Sequence, residues 1–280
     1  MILSCVSSTP LEAVAAAMGD APRWFQLYPT KDPALTASLL RRAEAAGYAA
    51  VVLTLDTPLL GWRESNLQDG YLPFLDGHGL ANYLSDPVLR AALPRAPEAD
   101  RRAAVDYALG VFTAPGFTWD GVRAVRAGTR LPLLVKGITH PLDAAAALAH
   151  GADGLVVSNH GGRQVDGAGA ALDALPAVAA VAGGRVPVLM DGGVRRGADV
   201  LKALALGAAA VLLGRPYVYG LAVGGEAGVR RVLQNLLADT ALTLALCGRR
   251  AVAEVDRDLV APAGGPDGES PGPRGPADDG

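Results

Sequence analysis

Seven short apolar runs, each leading into an Ala/Leu-rich stretch, predict a parallel α/β fold and, within that class, a (β/α)8 TIM barrel. Three observations carry the prediction. The runs ILSCV (2–6), WFQLY (24–28), AVVLTLD (50–56), PLLVKG (132–137), GLVVSN (154–159), PVLMDGG (187–193) and AVLLGR (210–215) are apolar throughout rather than alternating. Strands covered on both faces read that way. The helical patterns between them, such as 32–47, 140–151 and 196–207, stop at a glycine just before the next run. Finally, polar residues end nearly every run: Tyr28, Asp56, Lys136, His160, Asp191 and Arg215. A doubly wound sheet gathers its glycine signature in the first βα turn, whereas a barrel draws its chemistry from many strand ends.

A closed barrel needs eight strands, and the first run here begins beside Met1. The expectation is therefore a barrel that lacks its first βα unit and has an exposed edge. Two segments stand outside the repeat. Residues 61–115 form a long insertion after the third run, of a length that marks a lid or binding loop. Residues 256–280, rich in Pro, Gly and Asp, read as a disordered tail, leaving 1–255 as the barrel domain.

The 280 residues carry a formal charge of −3, which argues against a nucleic-acid surface. Cys5 and Cys247 are the only cysteines and lack metal-ligand spacing, so no metal site or disulfide framework is expected. Glu12 interrupts the apolar N-terminal run and no basic segment precedes it, which argues against an export signal. No apolar run approaches the ~20 residues that span a bilayer. These features together predict a cytoplasmic protein with no membrane partner.

The strand ends carry the chemistry. His160 and Arg163 follow the fifth run, with Gly161 and Gly162 between them allowing close approach of a ligand. An imidazole takes a proton near neutral pH, and a guanidinium binds a carboxylate bidentately. Asp56 ends LTLD, where a carboxylate would orient His160, and Arg63 in the next loop is placed as a second anion-binding group. Lys136 closes an otherwise apolar run, where a fixed cation would stabilise an anionic substrate or reduced cofactor. Gly192, Gly193, Arg195 and Gly197 open one helix, and Gly214-Arg215 end the last run. Two consecutive βα turns carrying glycine and arginine resemble a barrel phosphate site. For Gln26 and Tyr28 the residues alone leave core packing and function equally open.

The strings FQLY, LTLDTPLLGWRE, VKGI, SNHGGRQVD and DGGVRRGADVLKALALGA followed by GRP resemble the FMN-dependent α-hydroxy acid oxidases and dehydrogenases from about residue 2 to 248. The insertion YLPFLDGHGLANYLSDPVLR is most similar to the lactate 2-monooxygenase branch. The resemblance implies His160 as base, polarised by Asp56, with Arg163 and Arg63 on the substrate carboxylate and Tyr28 hydrogen-bonding the substrate. It implies FMN as cofactor, with Lys136 at the flavin pyrimidine edge and Gln26, Thr54 and Ser158 on the ring or ribityl chain. Asp191, Gly192, Gly193, Arg195, Gly214 and Arg215 would take the ribityl-phosphate end. The implied reaction oxidises a small (S)-2-hydroxy acid such as L-lactate, with oxygen as electron acceptor and, in the monooxygenase branch, decarboxylation. Family members commonly form homo-oligomers.

Two departures accompany the resemblance. Family members carry a further stretch ahead of the position where this chain starts, including the first barrel strand and a substrate-binding tyrosine. Where many members place a flavin-contacting serine, the resemblance puts Cys5, with Ser4 just before it. The competing expectation is a non-catalytic remnant of the family with impaired FMN binding. A different FMN barrel, such as an isomerase, is disfavoured because His160, Arg163 and Arg63 together call for a small carboxylate substrate.

Overall fold

In the computed structural model, which describes residues 1–261, seven parallel strands pair in strict sequence order. They are β1 (Ile2–Ser4), β2 (Trp24–Leu27), β3 (Val51–Thr54), β4 (Leu133–Ile138), β5 (Gly154–Val157), β6 (Val188–Met190) and β7 (Ala210–Val211). Each falls inside one of the seven apolar runs except β4, which extends one residue past its run to Ile138. Sequence-order parallel pairing is the topology of a (β/α)8 barrel wall, and the predicted class stands. Among the described residues β1 and β7 are the two edges and do not pair with each other.

The chain divides into two compact units. The first, residues 1–193 and 208–214, holds the whole sheet. Its crossover helices are α1 (Leu11–Met18), α2 (Pro33–Ala45), α7 (Trp119–Ala127), α8 (Pro141–Ala149) and α9 (Ala171–Ala182). Their starts are legible in the sequence. The Asp32 side chain accepts from the Ala34 amide at 2.8 Å with Pro33 in the first turn. His140 does the same for Leu142 ahead of Pro141. Both arrangements satisfy amides that a helix leaves open and preset its first φ. Gly47 and Gly151, at φ +72° and +88°, turn the chain out of α2 and α8 toward the next strand.

The 61–115 insertion is helical rather than a bare loop. It contains α3 (Glu64–Gln68), a 3-10 turn at Pro73–Asp76, α4 (Ala81–Leu84), α5 (Pro87–Ala92) and α6 (Arg101–Val111). Two of these helices begin at aspartates that cap them, Asp86 for α5 and Asp100 for α6. Fully buried Asn82 pins the insertion to β1 and α1: its Oδ1 accepts from the Leu11 amide at 2.7 Å, and its Nδ2 donates to the Cys5 carbonyl at 3.0 Å. Arg42 of α2 adds a bond to the Asn82 carbonyl and an ion pair with buried Asp86. Edge-to-face contacts of Phe112 with Phe74 and Tyr83 pack its interior.

The second unit, residues 194–207 and 215–280, contains α10 (Gly197–Ala205), whose first amide donates to Asp239 Oδ2 at 2.7 Å. It also contains α11 (Arg215–Leu246), which is interrupted by the non-helical Gly224 and Gly225. Within the segment read as a tail, 256–280, Arg257–Leu259 form a 3-10 turn. The rest of that tail, 262–280, lies outside the described residues. Among the described residues no helix is long and apolar enough to cross a membrane.

Candidate active site

The site grows out of strand parity. One face of the sheet carries a layer made of Ile2, Trp24, Val52, Leu134, Val156 and Leu189, packed with Ala50. Side chains two residues apart on a strand share a face. The next layer toward the strand C-termini is therefore Ser4, Gln26, Thr54, Lys136, Ser158 and Asp191, and every one is polar. Tyr28, Asp56 and His160 each lie two residues further on. The apolar layer closes the interior, and the polar layers above it form the rim where a barrel's chemistry resides.

The first polar layer is a hydrogen-bonded row. Ser4 Oγ donates to Gln26 Oε1 at 2.6 Å, and Gln26 Nε2 donates to Thr54 Oγ1 at 3.0 Å. Lys136 Nζ donates to Ser158 Oγ, which in turn donates to Asp191 Oδ1 at 2.5 Å. The ammonium also lies 2.9 Å from Asp191 and 3.6 Å from Asp56. Lys136 is thus partly buried between two carboxylates, which accounts for a lysine at the end of an apolar strand.

His160 takes φ +56°, the one non-glycine residue in the left-handed region among the described residues. Its conformation is held from three sides. The His160 amide donates to Ser158 Oγ at 3.0 Å, and its Nδ1 lies 2.8 Å from Asp56 Oδ1 and 3.2 Å from Thr57 Oγ1. A carboxylate only accepts, so Nδ1 carries a proton, and in the neutral ring Nε2 is the acceptor. Burial alone would raise the Asp56 carboxyl. The hydrogen bond from His160 and the charge of Lys136 outweigh it and hold the group below its ordinary value. Gly137, at φ +98°, makes the approach possible: a Cβ there would sit 2.7 Å from Asp56 Cβ.

In front of this pair is a cavity of about 190 Å³ lined by Tyr28, Thr57, Arg63, His160 and Arg163, with Phe74, Phe112 and Thr113 from the insertion. Arg63 Nε is buried without a hydrogen-bond partner. Burial, and then the charge of Arg163, lower the Arg63 pKa, while Tyr28 opposes them. Two guanidiniums facing one small space, one with an unmet donor, are chemically suited to hold an anion. Burial raises the Tyr28 phenol well above its ordinary value, with Asp56 adding to the shift, so the hydroxyl stays protonated.

His160, Arg163, Arg63 and Tyr28 are thus gathered at one cavity with Asp56 behind, and Gln26, Thr54, Lys136, Ser158 and Asp191 form the row beneath. Gly192 and Gly193 follow at φ +91° and +77°, with open space where a Gly193 side chain would be. Gly214 lies exposed beyond β7. Arg195 and Arg215 belong to the second unit, where the Arg195 amide donates to Asp199 and Arg215 opens α11. One sequence assignment is corrected. Ser4, not Cys5, shares the face of Gln26 and Thr54; Cys5 is fully buried and accepts from the Tyr28 amide and the Tyr83 hydroxyl. Sequence reasoning missed Thr57, Gln164, Phe74, Phe112 and Thr113, and only Thr57, beside Asp56, gave any local signal.

These features define a (β/α)-barrel rim that presents a histidine–aspartate pair and two arginines at one small cavity. The sequence matches the FMN-dependent dehydrogenase family over residues 1–262. It is 44% identical over 254 residues to an L-lactate oxidase of Lysinibacillus sphaericus, covering 90% of this chain and 64% of that protein. It is also 44% identical over 263 residues to glycolate oxidase of Spinacia oleracea, covering 93% and 69%. The crystal structure of mandelate oxidase with (S)-2-phenylpropionate superposes with a TM-score of 0.74 at 39% identity, over 91% of this chain and 67% of that one. The chain belongs to the FMN-dependent α-hydroxy acid oxidase and dehydrogenase family, and it spans 64% of the length of the lactate oxidase it matches.

The rim fits the family's cofactor. The unbroken row of uncharged polar groups from Ser4 to Thr54, followed by a single cation at Lys136, offers the mixed donors and acceptors of a flavin edge. The open space at Gly193 leaves room for a phosphate-bearing chain.

Proposed function

We propose that this chain forms the flavin- and substrate-binding rim of an enzyme that oxidises a small (S)-2-hydroxy acid to the 2-oxo acid. The observation that carries the proposal is the 2.8 Å contact of His160 Nδ1 with Asp56, beside a cavity lined by both Arg63 and Arg163. Arg63 and Arg163 hold the substrate carboxylate, and Tyr28 donates to its oxygen atoms. His160 Nε2 accepts a proton released from the substrate as it is oxidised, and Asp56 stabilises the imidazolium that results. FMN, when bound, accepts the two electrons removed from the α-carbon. Lys136 would hold the pyrimidine edge, with Gln26, Thr54 and Ser158 against the ring and ribityl chain and Asp191, Gly192, Gly193 and Gly214 toward the phosphate. The phosphate roles of Arg195 and Arg215 rest on the family resemblance. Closure of the insertion's Phe74 and Phe112 around the substrate would exclude water from the reacting carbon.

L-lactate is the proposed substrate and oxygen the acceptor. The likeness of 71–90 to the lactate 2-monooxygenase branch favours acetate over pyruvate as final product. A cytoplasmic homo-oligomer is the proposed state. The test is the visible spectrum of the purified chain, before and after anaerobic L-lactate, followed by product analysis in air. A flavin band that bleaches supports the reading, and acetate rather than pyruvate supports the monooxygenase branch. Among the described residues β1 and β7 do not pair with each other, which favours a second reading, a chain that holds flavin poorly and does not turn over. A colourless protein that takes up no added FMN would establish it.

A further inference from the structure

The loops that carry the two arginines, already linked through His160 by Asp56 and Thr57, are joined a second time by the side chain of Gln164. Gln164 Nε2 donates to the carbonyls of Asp56 and Leu59, each at 2.8 Å, and its Oε1 accepts from the Gly61 amide at 3.2 Å. The orientation of the amide is fixed by this network, because turning it over would set its oxygen against two carbonyl oxygens. One end of the clasp is the loop after β3, two residues before Arg63. The other is the loop after β5, one residue after Arg163. β3 and β5 are not neighbours, since β4 lies between them, so no strand ladder sets the distance between these loops.

The packing at Gly61 is equally tight. A Cβ at Gly61 would lie 2.5 Å from the Arg163 carbonyl oxygen and 2.8 Å from Gln164 Cα. The two backbones therefore touch only because residue 61 has no side chain. Arg63 and Arg163 line one cavity and the charge of Arg163 lowers the Arg63 pKa, so without substrate like charges face each other across the two loops. Gln164 does not line that cavity.

We infer that Gln164, seated against Gly61, is a positioning residue that holds the Arg63 and Arg163 loops at the spacing a single carboxylate requires. This inference rests on the proposed role of the two arginines. It assigns the clasp a specific consequence: the receptor is assembled before the substrate arrives, so the binding step is not charged with ordering the two loops.

The test compares the full chain with Gln164→Leu, Gln164→Glu and Gly61→Ala. Binding of oxalate is measured by calorimetry, which needs neither turnover nor flavin colour. Flavin content, melting temperature, KM and kcat with L-lactate are read in parallel. Gln164→Leu is expected to weaken oxalate and raise KM about tenfold, the net effect of about one hydrogen bond, with flavin content and kcat nearly unchanged. Gln164→Glu, which keeps the Gly61 acceptor but faces two carbonyls with an anion, is expected to do the same or worse. In a double-mutant cycle the loss should be non-additive with Arg163→Lys, because both changes act on one receptor. Unchanged oxalate affinity in Gln164→Leu and Gln164→Glu overturns the clasp. So does a loss additive with Arg163→Lys, or one that tracks flavin content and melting temperature. If the parent chain binds oxalate but does not turn over lactate, the proposed reaction fails while the clasp is still decided by the affinities. A parent chain that does not bind oxalate overturns both.

Discussion

Asp56 and His160, 104 residues apart in the chain, meet at 2.8 Å across the gap between the ends of β3 and β5. The contact determines which imidazole nitrogen is free, the one that serves as base in the proposed reaction. Asp56→Asn keeps the shape but removes the charge and allows the amide to donate toward Nδ1, favouring the wrong tautomer. Turnover of L-lactate is expected to fall on the order of 10²-fold or more, while the flavin spectrum persists. Undiminished turnover in this variant would remove Asp56 from the mechanism.

The same pair predicts a dependence of stability on acid. Hydrogen bonding from His160 and the charge of Lys136 hold the folded Asp56 carboxyl below its ordinary value, against the effect of burial. A carboxyl with a depressed folded pKa stabilises the fold fully above its unfolded value, and that contribution is lost as pH falls through the folded one. The loss in urea midpoint between about pH 6 and about pH 3 should therefore be smaller in Asp56→Asn than in the parent chain. Equal losses would show that the pairing does not contribute to stability.

Much of this rim was legible because strand ends are short and their residues unusual. Lys136, Asp191 and His160 stand out against apolar runs, and their shared face follows from spacing alone. The choice between Ser4 and Cys5 went wrong for the complementary reason. In a run that is apolar on both faces, periodicity does not say which face is inward, and only the pairing of Ser4 with Gln26 decides it. Gln164 and Gly61 were illegible for another reason, since their bond joins residues 103 apart and depends on loops that meet only in the folded chain. The insertion hid its helices because α4 has only four residues and is held by buried Asn82 rather than by its own propensity.

The face reversal at β1 has a chemical readout. Cys5 is fully buried, and desolvation pushes its thiol up to about 11 against hydrogen bonds from Tyr83 and the Tyr28 amide. Cys247 is exposed. Since the thiolate is the reactive form, iodoacetamide at about pH 8 should label Cys247 and leave Cys5 intact until denaturant is added. Prompt labelling of Cys5 in the folded chain would mean that β1 does not present the face described here.

Gly137 offers the sharpest test of how the backbone serves the site. A β-bulge between Lys136 and Ile138 places it at φ +98°, where an added Cβ would meet Asp56 N at 2.8 Å and Asp56 Cγ at 2.9 Å. Asp56 has little room to retreat: the preceding Leu55 amide donates to the Lys136 carbonyl, and the Asp56 carbonyl is held by Gln164. Gly137→Ala therefore adds a steric conflict to backbone strain of about 1–3 kcal/mol. It should lower the melting temperature and also pull Asp56 from His160, with turnover lost as in Asp56→Asn. Gly183→Ala is the control, since Gly183 ends α9 at φ +55° with nothing nearer than 3.7 Å to its would-be Cβ. It carries strain without a clash and should destabilise the chain while leaving turnover per flavin intact. If Gly137→Ala retains turnover per flavin as Gly183→Ala does, the glycine serves the bulge alone and the placement of Asp56 has another cause.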